Sequence, residues 1–356
     1  MLPVLLVVLP GFAQNEQDTT CVPTIQEWLL EMQRRQVFTL KIIALQYPYE
    51  AKTYFWHGIE VFAMGGKNSR FPFRFRTWYR AWQTMKRLHR QYKIQQVQSF
   101  WLTESALLAQ KFAEYYKIPN VFCLHGQDAK LENRYLPLLN LKKYPIVAIS
   151  STLAQFFEQN TQVKPTLIQM GINVKTCDAT DRPIDILGVG SLIPLKNYRL
   201  FLQLMAQLLP TFPHLQAEII GEGPEMPILQ ADLEALQLQK NVRLCGRLSR
   251  EMTLAKMENA KIFLHTSIYE GQGLVITEAL AKGCYVVQFE VGELVHHEKV
   301  HICPDEAAMK AALTQILSLQ KHDFQPFVAF DAKDTVQAFL DLYQANSSAS
   351  FSAIMA

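Results

Sequence analysis

Short apolar runs alternate with amphipathic stretches along most of the chain. In the first half, the runs typical of buried strands are 4–9, 40–45, 97–102, 121–124 and 146–149. Amphipathic stretches lie between most of these runs, and clear helical spacing occurs at 24–35 and 104–116. Strands that alternate with helices predict a parallel sheet covered by helices on both faces.

The same alternation starts afresh in the second half. A last run with a turn, 165–173, closes the first series, and the polar segment 174–183 is predicted to be an interdomain linker. Apolar runs then recur at 185–189, 217–220, 242–245, 262–264 and 285–289. We therefore expect an α/β protein with two doubly wound Rossmann-like domains, 1–173 and 184–330, that hold a ligand in the cleft at the carboxyl ends of their strands.

The two ends of the chain need separate interpretation. Residues 1–14 imitate a signal peptide, but they lack a positively charged start, and only about eight apolar residues precede Pro10. We expect a first strand there, with Gly11 turning the chain into an active-site loop. Near the other end, 335–343 is predicted to be a short amphipathic helix and 346–356 a loose tail.

Residues 262–289 predict a strand, a polar turn, a helix and a second strand. Gly271 and Gly273 let the backbone approach a ligand closely, and the N–H groups that open the helix suit a phosphate. Two carboxylates, Glu270 and Glu278, flank the helix start. Amides for phosphates and acids for hydroxyls indicate a nucleotide sugar as the ligand.

The motif in this stretch resembles the signature of the retaining GT-B glycosyltransferases of family four, also called glycosyl transferases group 1. The matching positions are Ser267, Glu270, Gly271, Gly273, Leu274, Glu278, Ala279, Ala281 and Gly283. Like the family, the chain has two glutamates separated by seven residues. It departs from the family at Gln272, where an aromatic side chain is usual, so the surroundings of the sugar are expected to differ.

A second glycine-rich turn follows the first strand of the second half. Gly188 and Gly190 permit a tight turn into a helix, and Lys196 offers a cation to a diphosphate. The family has a lysine at this place and an arginine or a small residue at the position of Ser191. A dinucleotide-binding fingerprint is the rival interpretation, but it needs a glycine where Ile193 stands. A solvated surface lysine is the plainest alternative.

Further matches to the family lie at other strand ends. Gly221 and Gly246 correspond to turns beside the nucleotide, and Gly11 and Phe12 to a glycine loop near the acceptor. His125 takes the place of a family histidine near the anomeric carbon of the donor, where a neutral imidazole would hydrogen-bond the sugar or a phosphate oxygen. A packed or exposed bystander is the alternative for a lone histidine.

These matches imply a site with defined roles. Glu270, His125 and Lys196 are the catalytic candidates, and Lys196 with the helix start would stabilise the phosphate leaving group. The donor-binding candidates are Gly190, Ser191, Lys196, Gly221, Gly246, Glu270, Gly271, Gln272, Gly273, Leu274 and Glu278. The resemblance favours same-face attack assisted by the leaving phosphate over a double displacement on Glu270. The alternative is that both glutamates only cap the helix and face solvent.

The resemblance implies neither a metal nor another cofactor, because cationic side chains and amides replace the metal. It also implies that a last helix, 331–345, crosses back to the first domain. Another group of possible metal ligands, His296, His297, His301 and Cys303, is predicted to lie in a loop, because adjacent histidines rarely bind one ion.

Residues 61–103 contain nine lysines or arginines and no acid. At 100° per residue, Arg76, Arg80, Arg87 and Arg90 share one helix face within an arc of about 80°. The opposite face carries Trp78, Ala81, Trp82, Met85, Leu88 and Tyr92. A solvated helix face is one interpretation, and contact with an anionic acceptor or an anionic membrane surface is the other. RNA is disfavoured, because no nucleic-acid-binding motif accompanies the basic residues.

Composition narrows the class of protein. The 356 residues allow two hydrophobic cores, and the formal net charge of +3 favours no particular partner. The six cysteines form no CxxC pair, which favours free thiols in a reducing compartment. No stretch reaches the roughly 18 apolar residues of a membrane span.

The sequence therefore predicts a cytoplasmic, metal-independent glycosyltransferase that uses a UDP- or GDP-sugar, with a glycan or lipid-linked acceptor. Peripheral association with the inner face of the membrane is part of the basic-helix hypothesis. A GT-B nucleotide-sugar epimerase, a phosphorylase and a non-catalytic nucleotide-sugar-binding homologue remain alternatives.

Overall fold

The computed structural model describes residues 2–70, 72–173 and 181–355, with side chains up to Asn346. The chain forms two compact units, one from Met1–Gly171 with Ala332–Ala356 and the other from Ile172–Asp331. Most of the predicted linker 174–183 lies outside the described residues, and so does Cys177. The other five cysteines are free thiols.

The first unit is built on a sheet of eight strands: β1 (Val4–Gly11), β2 (Thr39–Tyr47), β3 (Lys52–Trp56), β4 (Ile59–Ala63), β5 (Ile94–Phe100), β6 (Asn120–Leu124), β7 (Ile146–Ala148) and β8 (Thr166–Leu167). Their spatial order is β3-β4-β2-β1-β5-β6-β7-β8. All neighbours pair in parallel except β3 and β4, which form an antiparallel hairpin. The apolar run in β1 is buried along its length because both faces of the sheet are covered.

The helices of this unit are α1 (Pro23–Arg34), α2 (Arg74–Tyr92), α3 (Glu104–Tyr116), α4 (Ser151–Thr161) and α10 (Ala332–Met355), with 3₁₀ turns at Gln127–Ala129 and Leu136–Leu138. Met85 of α2 and Phe112 of α3 belong to one core cluster with alternate residues of β1. Trp28 of α1 contacts the rings of Phe100 and Phe339, with centroid distances of 5.2 and 5.4 Å. Helix α10 is therefore part of the core of the first unit.

The second unit contains six parallel strands: β9 (Ile184–Val189), β10 (Ala217–Ile220), β11 (Val242–Leu244), β12 (Ala260–His265), β13 (Tyr285–Phe289) and β14 (Val300–Cys303). Their order is β11-β10-β9-β12-β13-β14, which is the strand order of a Rossmann fold. The helices are α5 (Tyr198–Leu208), α6 (Met226–Ala235), α7 (Arg250–Glu258), α8 (Leu274–Ala281) and α9 (Glu306–Leu317), with a 3₁₀ turn at Pro194–Lys196.

Two clusters form the core of the second unit. One joins the sheet to α5, α6 and α9, and it includes Phe201, Leu229 and Leu313. The other joins the sheet to α7 and α8, and it includes Met257 and Ile276. The predicted doubly wound α/β architecture is confirmed for both units.

Most predicted elements are confirmed, and 104–116, 217–220 and 285–289 have the predicted bounds. Three segments differ. The hairpin β3–β4 was not predicted, because β3 is an edge strand whose alternate side chains are exposed and which carries no continuous apolar run. The loop predicted for His301 and Cys303 is wrong, since both lie on the edge strand β14.

The loose tail predicted for 346–356 is also wrong, because α10 continues to Met355. The segment contains no glycine or proline, so nothing in its local chemistry stops a helix. No described helix has the length and apolar character needed to cross a bilayer. Within the described ranges, no group of three or more His, Cys, Asp or Glu is arranged to hold a metal ion.

Candidate functional site

Three glycine turns meet at the carboxyl edge of the second sheet. The Gly190 N–H donates to the Ile220 carbonyl at 3.0 Å, and the Gly221 N–H donates to the Gly246 carbonyl at 2.9 Å. A Cβ at position 221 would lie 1.8 Å from the Gly190 carbonyl oxygen, so only glycine fits there. The turns after β9, β10 and β11 therefore form one continuous backbone surface, and Ser191 is exposed beside it.

The turn that carries Lys196 is attached to the loop after β12. The Thr266 hydroxyl donates to the Lys196 carbonyl at 2.8 Å, and the Ile268 N–H donates to the Leu195 carbonyl at 3.0 Å. The Lys196 ammonium forms an ion pair with the Glu270 carboxylate. The structure thus brings together the cation and the carboxylate that the sequence placed 74 residues apart.

Glu270 is charged in spite of its burial. Its side chain is 13% exposed, and Oε1 lies 2.9 Å from Nε2 of His265. Burial by itself would raise the pKa of Glu270, but the hydrogen bond from His265 and the charge of Lys196 lower that pKa to about 2. The carboxylate therefore stays ionised at physiological pH, and two partners fix its orientation.

The opening of helix α8 lies beside this carboxylate. Gly273 precedes the helix with φ of +84°, and a Cβ at that position would be 4.0 Å from Cγ of Glu270. Gln272 is buried, and its carbonyl accepts the Glu293 N–H at 2.9 Å. The side chain that replaces the family's aromatic is thus enclosed by protein. Gly271 and Leu274, which flank Gln272 and Gly273 in the sequence, are half-buried.

The second glutamate of the motif, Glu278, has a cationic partner. Nη2 of Arg250, at the start of α7, lies 2.8 Å from Oε1 of Glu278, and Nε lies 3.1 Å from the same oxygen. The two side chains are 19% and 14% exposed. Glu278 does not face solvent, which disagrees with the alternative that it only caps the helix.

His125 lies in the first unit, directly after β6. Its ring is stacked on Trp101 with a centroid distance of 4.2 Å and an interplanar angle of 25°. Nε2 is buried and has no hydrogen-bond partner among the described residues. Burial lowers the pKa of His125 to about 3, so the imidazole is neutral. Its backbone N–H donates to the buried Asp128 carboxylate at 3.0 Å.

Gly11 ends β1, a central strand of the first sheet, and Phe12 follows it directly. Gly11 pairs with Tyr47, and a Cβ at position 11 would lie 3.2 Å from the Cβ of that tyrosine. The ring of Phe12 is fully buried and packs edge-on against Trp56 at 5.0 Å. Because the ring is buried, Phe12 can contact an acceptor only through its backbone groups.

The basic stretch forms helix α2, as predicted, and its apolar face packs on the core through Ala81, Met85 and Leu88. The four arginines of the other face are not equivalent. Arg76, Arg87 and Arg90 are exposed, and the Arg87 guanidinium lies over the Phe62 ring at 5.6 Å. Arg80 is half-buried and donates to the Met64 carbonyl at 3.2 Å. Three of the four predicted arginines therefore remain on the exposed face of α2, and Arg80 is partly withdrawn from it.

Comparison with known proteins identifies the family. Residues 176–325 match the family model "Glycosyl transferases group 1". The second unit therefore contains a domain of the glycosyl transferases group 1 type. The match covers the three glycine turns, Lys196 and the Glu270–Glu278 motif.

Curated relatives match about half of the chain. One subunit of the human phosphatidylinositol N-acetylglucosaminyltransferase is 30% identical over 180 residues, which is 49% of this chain and 37% of the relative. The GPI3 subunit of the corresponding Saccharomyces cerevisiae enzyme is 24% identical over 188 residues, 49% of this chain and 40% of the relative. The match thus spans about two fifths of the length of these relatives.

Solved structures share the fold over nearly the whole chain. Sucrose-phosphate synthase from Thermosynechococcus elongatus has a TM-score of 0.74 at 18% identity and covers 100% of both chains. HepE from Anabaena, solved with UDP-glucose, has a TM-score of 0.69 at 16% identity and covers 98% of this chain and 99% of its own. The expected GT-B fold class is confirmed.

Two polar residues of the candidate site, His265 and Arg250, were missed from the sequence. His265 ends β12 and contacts Glu270, and the argument that singled out His125 at a strand end would have found it. Arg250 lies 28 residues before Glu278. No local pattern links those two residues, because the pairing depends on how α7 and α8 pack.

Proposed function

We propose that the chain is a retaining glycosyltransferase that transfers a sugar from a nucleotide-diphosphate sugar, of the UDP or GDP type, to a glycan or lipid-linked acceptor. Such a reaction would serve the synthesis of a cell-surface polysaccharide or glycolipid. The observation that carries the proposal is the meeting of Lys196, Glu270 and the opening of α8 beside three glycine turns. Ammonium and amide groups suit a diphosphate, and carboxylates suit hydroxyls.

Each donor-binding residue has a proposed part. Lys196 and the first amides of α8 stabilise the diphosphate as it leaves, because they place positive charge where negative charge develops. Glu270, ionised because its pKa is about 2, accepts hydrogen bonds from the sugar hydroxyls. Glu278 accepts those of the ribose, and Arg250 holds its carboxylate in place.

The proposed chemistry is attack from the face that the leaving group occupies. The acceptor oxygen bonds to the anomeric carbon while the bond from that carbon to the phosphate oxygen breaks, and the acceptor proton passes to the departing phosphate. The neutral His125 would accept or donate a hydrogen bond near the anomeric carbon through its buried Nε2. Lys196 takes the role that a metal ion has in other transferases, so we propose metal independence.

The relatives suggest the first compounds to test. Their names describe transfer of N-acetylglucosamine to phosphatidylinositol, and HepE was solved with UDP-glucose. We infer that UDP-N-acetylglucosamine and UDP-glucose are suitable first donors and that a lipid-linked polyol is a suitable first acceptor.

A lipid-linked acceptor would require the enzyme to meet a membrane. We infer that α2 makes this peripheral contact on the cytoplasmic side, with Arg76 and Arg90 facing the anionic headgroups. Three aromatic side chains near the start of the helix support the inference, because they are 74%, 51% and 66% exposed: Phe73, Phe75 and Tyr79. Exposed aromatic and basic side chains together favour the membrane interface.

The test is a thermal-shift panel of UDP- and GDP-sugars, because a ligand that binds the native state raises the melting temperature. At least one nucleotide sugar should shift the wild type and shift Glu270→Ala less. Product analysis with and without acceptor, with and without EDTA, then separates transfer from epimerisation and phosphorolysis. A panel without any shift, or full turnover by Glu270→Ala, would contradict the proposal.

A further inference from the structure

The first unit contains a cavity of about 360 Å³ at the carboxyl edge of its sheet. This volume is typical of a site for a small ligand. The cavity is bounded by the ends of β1 and β2, by the turn from β5 into α3, and by α2. Its lining includes Gly11, Gln46, Arg74, Trp101, Glu104 and Tyr135.

A buried carboxylate lies in the wall of this cavity. The Glu104 side chain is 6% exposed, and Nε of Arg74 lies 3.6 Å from its Oε2. The same oxygen accepts the indole N–H of Trp78 at 2.6 Å, and Oε1 accepts the side-chain amide of Gln46. Two hydrogen-bond donors, Trp78 and Gln46, and the nearby charge of Arg74 therefore fix the direction of the carboxylate.

Hydrogen bonds also fix the position of the Arg74 guanidinium. Nη1 donates to the Tyr135 hydroxyl at 3.0 Å, and Nε donates to the Ser69 carbonyl at 3.1 Å. Its side chain is 20% exposed. The cavity is thus lined by one carboxylate, Glu104, one cation, Arg74, and the side-chain amides of Gln46 and Asn68. This balanced mixture of donors and acceptors suits hydroxyl groups, which both donate and accept, better than it suits an anion or an acyl chain.

Trp101 connects the cavity to the proposed catalytic histidine. It lines the cavity and is stacked on His125. Its φ is +64°, an unfavourable value for a bulky side chain, and its N–H donates to the Cys123 carbonyl at 2.8 Å. Such backbone strain is common where a side chain must be presented to a ligand. The flat indole offers an apolar surface to a ring.

We propose that this cavity is the acceptor subsite and that it takes a six-membered polyol ring, a hexose or a cyclitol. Glu104 and Arg74 bind neighbouring hydroxyls of the ring, and Trp101 packs beside the ring next to His125. This inference rests on the proposed glycosyl transfer. Glu104 and Arg74 are then specificity-determining residues for the acceptor.

Saturation-transfer NMR on the full chain tests the subsite, with myo-inositol and glucose as probes and glycerol as an acyclic comparator. The ring polyols should bind more tightly than glycerol. Arg74→Gln and Glu104→Gln should weaken ring binding by at least about tenfold, because each variant removes a charged hydrogen-bond partner. The matched control is Lys86→Gln, which removes a cation from α2 outside the cavity. Equal binding by wild type and both variants, or equal binding of glycerol, would overturn the proposal.

One further variant and one further ligand complete the test. Asn68→Gly removes an exposed cavity side chain at a position whose φ of +52° suits glycine, so it should fold even if Glu104→Gln does not. It should also weaken ring binding, and unchanged binding would count against the subsite. A soluble short-chain phosphatidylinositol that binds more tightly than myo-inositol identifies a lipid headgroup as the source of the ring, whereas equal binding identifies a free ring.

The donor and acceptor proposals fail separately. If no nucleotide sugar shifts the melting temperature while the ring polyols still bind, the transferase proposal fails and the cavity remains a polyol site. If nucleotide sugars bind but ring polyols do not, only the acceptor subsite is wrong. With an acceptor in hand, Arg74→Gln should raise the acceptor KM about tenfold and leave the donor KM unchanged.

Discussion

The carboxyl edges of the two sheets are built by different means. In the second unit, the edge consists mainly of backbone, since three glycine turns are joined by main-chain hydrogen bonds and a fourth glycine opens α8. In the first unit, the edge consists mainly of side chains: the Trp101–His125 stack and the Arg74–Glu104 pair around a cavity.

The difference follows from what each edge is proposed to bind. A diphosphate is recognised by amide groups and a cation, and amides require turns whose glycines stand at fixed spacings in the sequence. A polyol is recognised by individual side chains, which different strands and helices can supply. The first kind of site leaves a motif in the sequence, whereas the second leaves scattered residues.

The largest expected effect comes from removing the charge of Lys196 at the carboxyl edge of the second sheet. Lys196→Gln should lower turnover by roughly 10² to 10³, because the charge on the leaving diphosphate loses its ammonium partner. The thermal shift by nucleotide sugars should shrink with it, while ring-polyol binding stays. The matched control is Lys240→Gln, an exposed lysine of the same unit. Full turnover by Lys196→Gln would refute its role.

A smaller loss is expected when the side-chain edge is broken at the histidine. His125→Gln should lower turnover by about 10² and leave the nucleotide-sugar thermal shift unchanged. Since the pKa of His125 is about 3, this residue should add no acid limb to the pH–rate profile near pH 6. An acid limb that disappears in the variant would show a charged imidazole instead.

The same pKa predicts a difference in stability. The pKa of His125 falls from 6.5 to about 3 on folding, so the unfolded chain binds the proton first as the pH drops. Its contribution is complete above pH 6.5 and is lost as the pH falls through about 3. Urea unfolding should show the advantage of wild type over His125→Gln declining across that interval.

A more modest effect should follow when the membrane contact of the first unit is reversed. Arg76→Glu combined with Arg90→Glu should weaken binding to anionic vesicles at least about tenfold, because each basic residue near such a surface contributes about 1 kcal/mol. The matched control reverses two exposed lysines, Lys111→Glu on α3 with Lys117→Glu directly after that helix. Co-sedimentation measures both, and equal loss in the two pairs would point to net charge alone.

The smallest effect separates the fold from the site. Ser150 precedes α4, and its hydroxyl accepts the Leu153 N–H at 3.2 Å. Ser150→Ala should lower the free energy of unfolding by about 1 kcal/mol through loss of this helix cap. Turnover of the folded variant should stay at the wild-type value. Urea unfolding measures the loss of stability, and initial rates measure turnover. A fall in turnover would place Ser150 in the site.

The sequence predicts the backbone turns of the second sheet better than it predicts the contacts between side chains. The β9 turn and the 267–283 motif were identified because their residues are close together in the chain. The ion pairs of Glu270 with Lys196 and of Glu278 with Arg250 were not identified. The first joins two loops and the second joins helices α7 and α8, and these elements meet only in the folded unit. The cavity around Glu104 left no trace in the pattern, because segments that are far apart in the sequence line it.

The errors in secondary structure have a related cause. The edge strands β3 and β14 are defined by backbone pairing with a neighbour rather than by a continuous apolar run. The end of α10 contains small and polar residues, which composition alone assigns to a tail, yet none of them breaks a helix. Local composition predicts the central strands well and the borders of the fold poorly.

The return of α10 has a consequence for biosynthesis. Phe339 packs against Trp28 at 5.4 Å, and the Tyr343 hydroxyl donates to the buried side chain of Gln98 at 2.9 Å. The ribosome must therefore finish all of Ile172–Asp331 before the unit that it began first can close its core. The second unit is one continuous segment, so it can fold during synthesis. Until α10 has been made, part of the core of the first unit stays exposed and accessible to chaperones.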